Sequence, residues 1–252
     1  MLCNIPSIWE ISMLVYGEEK TNSVSLAFVI AALNEEAGIG STLSEIKDVL
    51  GNPFFLVVDG NSSDGTVKVA KDHAAEVVVQ NGARGKGAAI SQGLEYLGKL
   101  GVNTDYVVFT DADFTYPAEY VPSMVEILEK DKSVGMVVGD RFKKGFSLRN
   151  AVSEKFYFGN RFMALMQYLV NGVRLNDPLS GLRVVRWNII EDWKPRSKGF
   201  DIEAELNNYV RKTGCRTVEI PIRYRSRLGD KKLKIKHGFI ILKRIMSQGV
   251  FN

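Results

Sequence analysis

A chain of 252 residues with 45% apolar and 10% aromatic content has enough material to bury a real core, which excludes a disordered scaffold. Its net charge is only +4, yet nine Lys or Arg against a single Asp fall between Arg223 and Arg244, so this end is expected to meet something anionic. Cys3 and Cys215 stand far apart without C-x-x-C spacing, which argues against a disulfide framework or structural zinc site and for a reducing cytoplasm.

The first 23 residues carry Glu10 inside an apolar stretch and lack a basic start, so they read as a short appendage and not as a signal peptide. From Val24 a new pattern begins. VSLAFVI (24–30), FFLVVD (54–59), EVVVQ (76–80), YVVFTD (106–111) and VGMVVGD (134–140) are β-branched or aromatic runs of strand length. Between them apolar residues recur at three- and four-residue steps: Ile39, Leu43, Ile46 and Leu50; Val67 and Ala70; Ile90, Leu94 and Leu97; Val121, Val125 and Leu128. Strand alternating with helix predicts an α/β fold, a doubly wound, mostly parallel sheet with helices on both faces. Ligands of such sheets bind beyond the carboxyl ends of the strands. This singles out Asn34 and Glu35 after the first strand, Asp59 with Asp64 after the second, and Asp111 with Asp113 after the fourth.

The first strand leads into AALNEEAG, which lacks the G-x-G-x-x-G of dinucleotide binding. After the third strand, NGARGKGAA (81–89) departs from the phosphate-loop pattern too, but its glycines let backbone approach a phosphate. Arg84 or Lys86 would add positive charge at the mouth of the next helix. In DADFTYP (111–117), a turn after the strand would let both aspartates reach one hard divalent cation, whose remaining partners are commonly substrate phosphates. The D-x-D-x-T pattern of Asp111, Asp113 and Thr115 is also that of haloacid-dehalogenase-like phosphatases. There it sits on the first strand, whereas three strand–helix units precede it here and no acidic pair follows downstream to complete a metal site. A phosphatase, or a catalytically silent nucleotide-sugar binding module, is the alternative of another class.

The distal half reads as a helix over 154–173, a helix over 200–214, a strand over 215–222 and a basic helix over 237–248. The uncharged run 162–173 has twelve residues, short of the roughly 20 needed to span a bilayer. Phe158, Phe162, Leu165, Met166 and Leu169 form one apolar stripe; Phe239, Ile240, Leu242, Ile245 and Met246 form another beside Lys243 and Arg244. Basic amphipathic helices of this kind lie in anionic lipid interfaces. The organisation expected is an appendage (1–23), one catalytic domain (24–233) and a basic amphipathic C-terminal helix (234–252).

Taken in order, ALNEE, VVDGNSSDGT, ARGKGAA, DADFTYP, GDRF, DPLSGLR, GFDIEAEL and RLGDKKL resemble the family 2 glycosyltransferases of GT-A fold, in particular the dolichyl-phosphate (polyprenyl-phosphate) mannose and glucose synthases. The resemblance runs from about Val24 to Leu233. It implies an inverting transfer of a hexose from a nucleotide-diphosphate sugar, of GDP-mannose or UDP-glucose type, to dolichyl or polyprenyl phosphate. A saccharide or soluble acceptor is the alternative within the family. It further implies Mg²⁺ or Mn²⁺ as cofactor and a peripheral position at the inner, cytoplasmic face of a membrane. Nucleic acid is not expected as a partner, and no oligomeric state is set.

On this sequence the family pattern assigns Asn34, Glu35, Asp59, Lys86, Asp111, Arg227 and Lys232 to the donor, and Asp111 and Asp113 to the metal. Arg141, Arg149, Ser153 and Arg183 fall to the acceptor phosphate, and Asp113, Asp177 and Arg141 to catalysis. Three departures leave sugar and base open: Asp59-Gly60 where many members have adjacent aspartates, Thr115 where mannose synthases often carry Gln, and Lys231 where a Ser usually precedes the lysine. The chemistry agrees with the inventory. A phosphomonoester, with a second pKa of about 6, is largely anionic at neutral pH and attacks without a strong base. The protein's part is to align two phosphates that repel each other.

Overall fold

The structure is a computed structural model and describes residues 24–143 and 151–249. Among them the strands form one seven-stranded sheet. β1 (Leu26–Ala32), β2 (Phe54–Asp59), β3 (Glu76–Val79) and β4 (Tyr106–Asp111) are parallel, with β1 between β2 and β4. β5 (Val134–Asp140) and β7 (Arg216–Pro221) are parallel to each other, and β6 (Arg183–Arg186) runs antiparallel to both β4 and β5. The order is β3-β2-β1-β4-β6-β5-β7.

Helices α1 (Glu36–Leu50), α2 (Thr66–Asp72), α3 (Lys86–Leu100), α4 (Val121–Lys130), α5 (Ala151–Asn171), α6 (Trp187–Ile190), α7 (Ile202–Lys212) and α8 (Ile235–Ser247) complete the described elements. The central strands are apolar up to their carboxyl ends because both faces are covered, as in parallel sheets generally. Alternation along β1 sends Phe28 and Ile30 to one face, with Ile39, Leu43 and Ile46 of α1 and Met124 and Leu128 of α4. Ala27 and Val29 go to the other, with Ile90, Leu94 and Leu97 of α3 and Ile202, Leu206 and Val210 of α7. The strand–helix alternation read from the sequence is therefore the fold.

β6 has no counterpart among the predicted strands. It holds two apolar residues between two arginines, too short a run to register as a strand, and it exists because β4 and β5 supply partners on both sides. Element ends differ by two or three residues at several places, with the first strand at 26–32 and the basic helix starting at 235.

α5 and α8 pack on each other and on α7 through Met163, Ala204, Ile241 and Ile245. Asn171 Nδ2 donates to the carbonyls of Ile245 (3.2 Å) and Gln248 (2.9 Å), so α8 is built into the domain. This corrects part of the expected lipid stripes. Ile245 is fully buried, Met166 and Leu242 are half-buried, and Arg244 Nε is spent on Asp201 at 2.9 Å. Phe158, Phe162, Leu165 and Leu169 of α5 and Phe239, Ile240 and Met246 of α8 do stand exposed. Among the described residues no helix is long and apolar enough to cross a membrane.

Candidate active site

The ends of β1, β2, β4 and β5 open onto one crevice. After β1 the backbone enters the left-handed region at Asn34 (φ 50°), whose Oδ1 accepts from the Ser63 amide at 2.8 Å while its own amide donates to Ser62 Oγ at 2.8 Å. Asp59 holds the same Ser62 by its amide (3.0 Å) and hydroxyl (2.5 Å) and is 1% exposed. Asp59, expected at the nucleotide, spends its carboxylate on both groups of Ser62 and so shapes the β2 loop.

The turn after β4 carries Asp111 and Asp113. Phe114 sits at φ 64°, its amide donating to Thr42 Oγ1 at 3.0 Å, and the Thr115 hydroxyl donates to Asp113 Oδ1 at 2.6 Å. α1 comes so close beneath that a Cβ on Gly38 would lie 2.8 Å from Ala112 O and Asp113 Cα, so only glycine lets the turn sit there. Lys86 Nζ, at the start of α3, lies 2.6 Å from Asp111 Oδ1 and 2.6 Å from Glu203 Oε1 of α7. Arg227 Nη1 lies 3.0 Å from Asp113 Oδ2, and its Nη2 reaches both oxygens of Glu35 at 2.6 and 2.7 Å. Lys232 Nζ meets Glu35 Oε1 at 2.7 Å and the Asn34 carbonyl at 2.8 Å. The segment that brings these cations is pinned to the turn: the Arg225 amide donates to Thr115 O and the Leu228 amide to Asp113 O, both at 3.0 Å.

Burial pushes the Asp111 carboxyl up, but Lys86 against it, with Arg141 and Arg227 farther off, outweighs burial and holds it below the usual range. Asp113 goes the other way. Burial and the neighbouring Asp111 charge raise it in spite of Thr115 and Arg227. Lys86 is disfavoured by burial, yet its two carboxylates hold the ammonium charged. Two carboxylates that repel in this way fit a divalent cation, which relieves the repulsion. Among the described residues no group of three or more His, Cys, Asp or Glu forms a complete cage, so a hard cation here would take its other oxygens from a ligand and water.

Across the crevice, after β5, Arg141 is held edge-on by Asp177: Nε to Oδ2 and Nη2 to Oδ1, both 2.7 Å, with the Arg141 amide on Oδ2 at 3.1 Å. The rings of Phe142 and Tyr224 each lie 5.3 Å from its guanidinium carbon. The Asn176 and Asp177 amides donate to Glu219 of β7 at 2.8 Å, which fixes the clamp to the sheet. Nη1 has no partner among the described residues, so one edge of a planar, fully charged fork stays open to an anion.

Two of the expected site residues lie inside the protein. Asp177 is 0% exposed, with both oxygens on Arg141, whose guanidinium it holds in place. Arg183, expected at the acceptor phosphate, is 1% exposed and spent inside: Nε on Ser180 O (2.8 Å), Nη2 on Pro178 O (2.7 Å) and Nη1 on Asn207 Oδ1 (2.5 Å). It closes the loop before β6. Arg149 lies outside the described residues; Ser153 falls in α5, with its side chain outside them. Glu203, Glu219 and Tyr116 were missed. For Glu203 the one sequence signal was its place in GFDIEAEL, which says nothing about a partner more than a hundred residues away.

Residues 27–186 match the family described as Glycosyl transferase family 2. A dolichyl-phosphate hexose transferase of Haloferax volcanii is 32% identical over 211 residues, which cover 82% of this chain and 86% of that protein. An undecaprenyl-phosphate mannosyltransferase of Micrococcus luteus is 27% identical over 217 residues, 81% of this chain and 86% of that one. Among solved structures, glucosyl-3-phosphoglycerate synthase from Mycobacterium tuberculosis, in complex with Mn²⁺, UDP-glucose and phosphoglyceric acid, superposes with a TM-score of 0.66 at 21% identity, over 90% of this chain and 80% of that one.

Proposed function

Because the chain belongs to glycosyl transferase family 2 and has the GT-A fold, we propose that it moves a hexose from a nucleotide-diphosphate sugar to the phosphate of a polyprenyl lipid, inverting the anomeric carbon. The observation that carries this reading is the pairing of two anion sites on one crevice. On one side stand Asp111 and Asp113 with Lys86, Arg227 and Lys232; on the other stands Arg141 with its open edge. The relatives named for dolichyl-phosphate and undecaprenyl-phosphate transfer support the lipid acceptor. Membership of this family also overturns the phosphatase alternative.

Asp111 and Asp113 would hold Mg²⁺ or Mn²⁺, which supplies charge neutralisation on the donor diphosphate. Arg227 and Lys232 turn from their carboxylates toward the phosphates, while Asn34 and Glu35 line the nucleotide side. Arg141 orients the acceptor phosphate, held rigid by Asp177 and Glu219. One acceptor oxygen attacks the anomeric carbon as the diphosphate leaves, so no side chain has to remove a proton. Positioning and fixed positive charge do the work.

The test is to incubate purified protein with a panel of radiolabelled nucleotide sugars and one of three acceptors: polyprenyl phosphate, a small soluble phosphate, or none. Each is run with and without a chelator. Chelator-sensitive label in the lipid fraction is the expected result. Transfer only to the soluble phosphate would replace the lipid acceptor, and transfer that survives chelation would remove the metal.

The exposed apolar side chains of α5 and α8, beside Lys236 and Lys243, are the surface we assign to the bilayer. Each buried aromatic is worth about 1.5–3 kcal/mol. Changing Phe158 and Phe239 together to Ser should therefore lower binding to anionic-lipid vesicles by about a hundredfold or more. Sedimentation with vesicles measures it, and undiminished binding would take the membrane role from these helices.

A further inference from the structure

One aromatic side chain stands between the two anion sites and belongs to neither. Tyr224 lies in the segment that follows β7, held from both sides: the Arg223 amide donates to the Tyr120 hydroxyl at 3.1 Å, and the Arg225 amide to Thr115 O at 3.0 Å. Its ring meets Tyr116 edge to face at 5.1 Å and 64°, and the Arg141 guanidinium covers it at 5.3 Å. The support is rigid, since Tyr116 is buried and its hydroxyl accepts from the Gly181 amide at 2.7 Å. Gly181 in turn comes so close to Asp111 that a Cβ there would lie 2.9 Å from Oδ2. Tyr224 thus rests on Tyr116, which reaches Asp111 by way of Gly181, on one side and on the Arg141 guanidinium on the other. With those contacts made, it is still 46% exposed.

Resting on the reading above, we propose that Tyr224 forms a wall of the hexose subsite and helps to decide which hexose is transferred. A donor diphosphate beside Asp111 and Asp113 and an acceptor phosphate on Arg141 leave the anomeric carbon between them. The pyranose attached to that carbon must pass Tyr224. An aromatic face suits the C–H face of a sugar, and a phenol hydroxyl distinguishes epimers by whether it finds a sugar hydroxyl to bond.

Calorimetric titrations of the wild-type protein, Tyr224→Phe and Tyr224→Ala with UDP, UDP-glucose, UDP-galactose, GDP and GDP-mannose, each with Mn²⁺, test this without any acceptor. For Tyr224→Ala, the affinity that the sugar adds to the preferred nucleoside diphosphate should fall about tenfold, while diphosphate affinity itself stays within about twofold. Tyr224→Phe keeps the ring contacts and should fold normally. It should bind the preferred sugar nucleotide but narrow the wild-type ratio of Kd between sugar nucleotides that carry epimeric hexoses. Equal losses for diphosphate and sugar nucleotide would make Tyr224 a prop for the segment and overturn the proposal, as would an unchanged epimer ratio in both variants. A wild-type protein that binds none of the nucleotides would overturn the proposed function and this inference together. Wild-type transfer with an indifferent Tyr224 rejects the inference alone.

Discussion

Asp113→Ala is expected to abolish hexose transfer, by about three orders of magnitude or more, while the protein stays folded. The loss follows from the geometry of the turn. Asp113 is nearly buried, its orientation fixed by Thr115, and with Asp111 it supplies the oxygens that a divalent cation needs before a diphosphate can complete the shell. The fold should survive because no charge is stranded. Arg227 keeps both oxygens of Glu35, and Asp111 keeps Lys86. Product formation, Mn²⁺ binding by calorimetry and a thermal melt read the three consequences separately. Transfer retained at wild-type rate would remove the aspartate pair from the mechanism.

The second large effect concerns the clamp. Arg141→Ala should lower lipid-acceptor use at least about a hundredfold, and it should also destabilise the protein by about 3–5 kcal/mol, because fully buried Asp177 is left without its counter-charge. Adding Asp177→Ala to that variant removes the stranded carboxylate and should restore much of the stability but none of the activity. Asp177→Ala alone should reduce acceptor use as well, by freeing the guanidinium. Denaturant titrations of the four proteins give the coupling, which for a contacting buried pair departs from additivity. Additive stabilities would mean that the two side chains do not act as a unit.

How far the sequence led depends on the range of the forces involved. The units from β1 to β4 were legible because strand and helix periods are local: Ile39, Leu43 and Ile46 announce a helix whatever lies around them. β6 was not legible, since Arg183–Arg186 becomes a strand only through partners on β4 and β5. Glu35, Asp111, Asp113 and Arg227 were legible from strand ends and motif order, and the structure joins Glu35 and Asp113 through Arg227 and sets Asp111 on Lys86. A motif marks Asp59, Asp177 and Arg183 as needed without telling that each is also buried, because burial is a property of the folded chain. The partners of Glu203 and Glu219 carried no signal for the same reason: each acts on a cation or a backbone amide that only the tertiary fold brings near. The lipid stripes failed in part because the packing of α8 on α5 and α7 turns Ile245 inward.

Running against its neighbours, β6 lets the loop before it, 177–182, arrive at the rim where the parallel strands end. The carboxylates proposed for the metal precede residue 116, and the Arg141–Asp177 clamp follows residue 140, so the two proposed sites come from consecutive stretches of one chain. The segment carrying Tyr224 and Arg227 returns to touch both, Tyr224 against Arg141 and Arg227 against Asp113, so a change there reaches the two sites together.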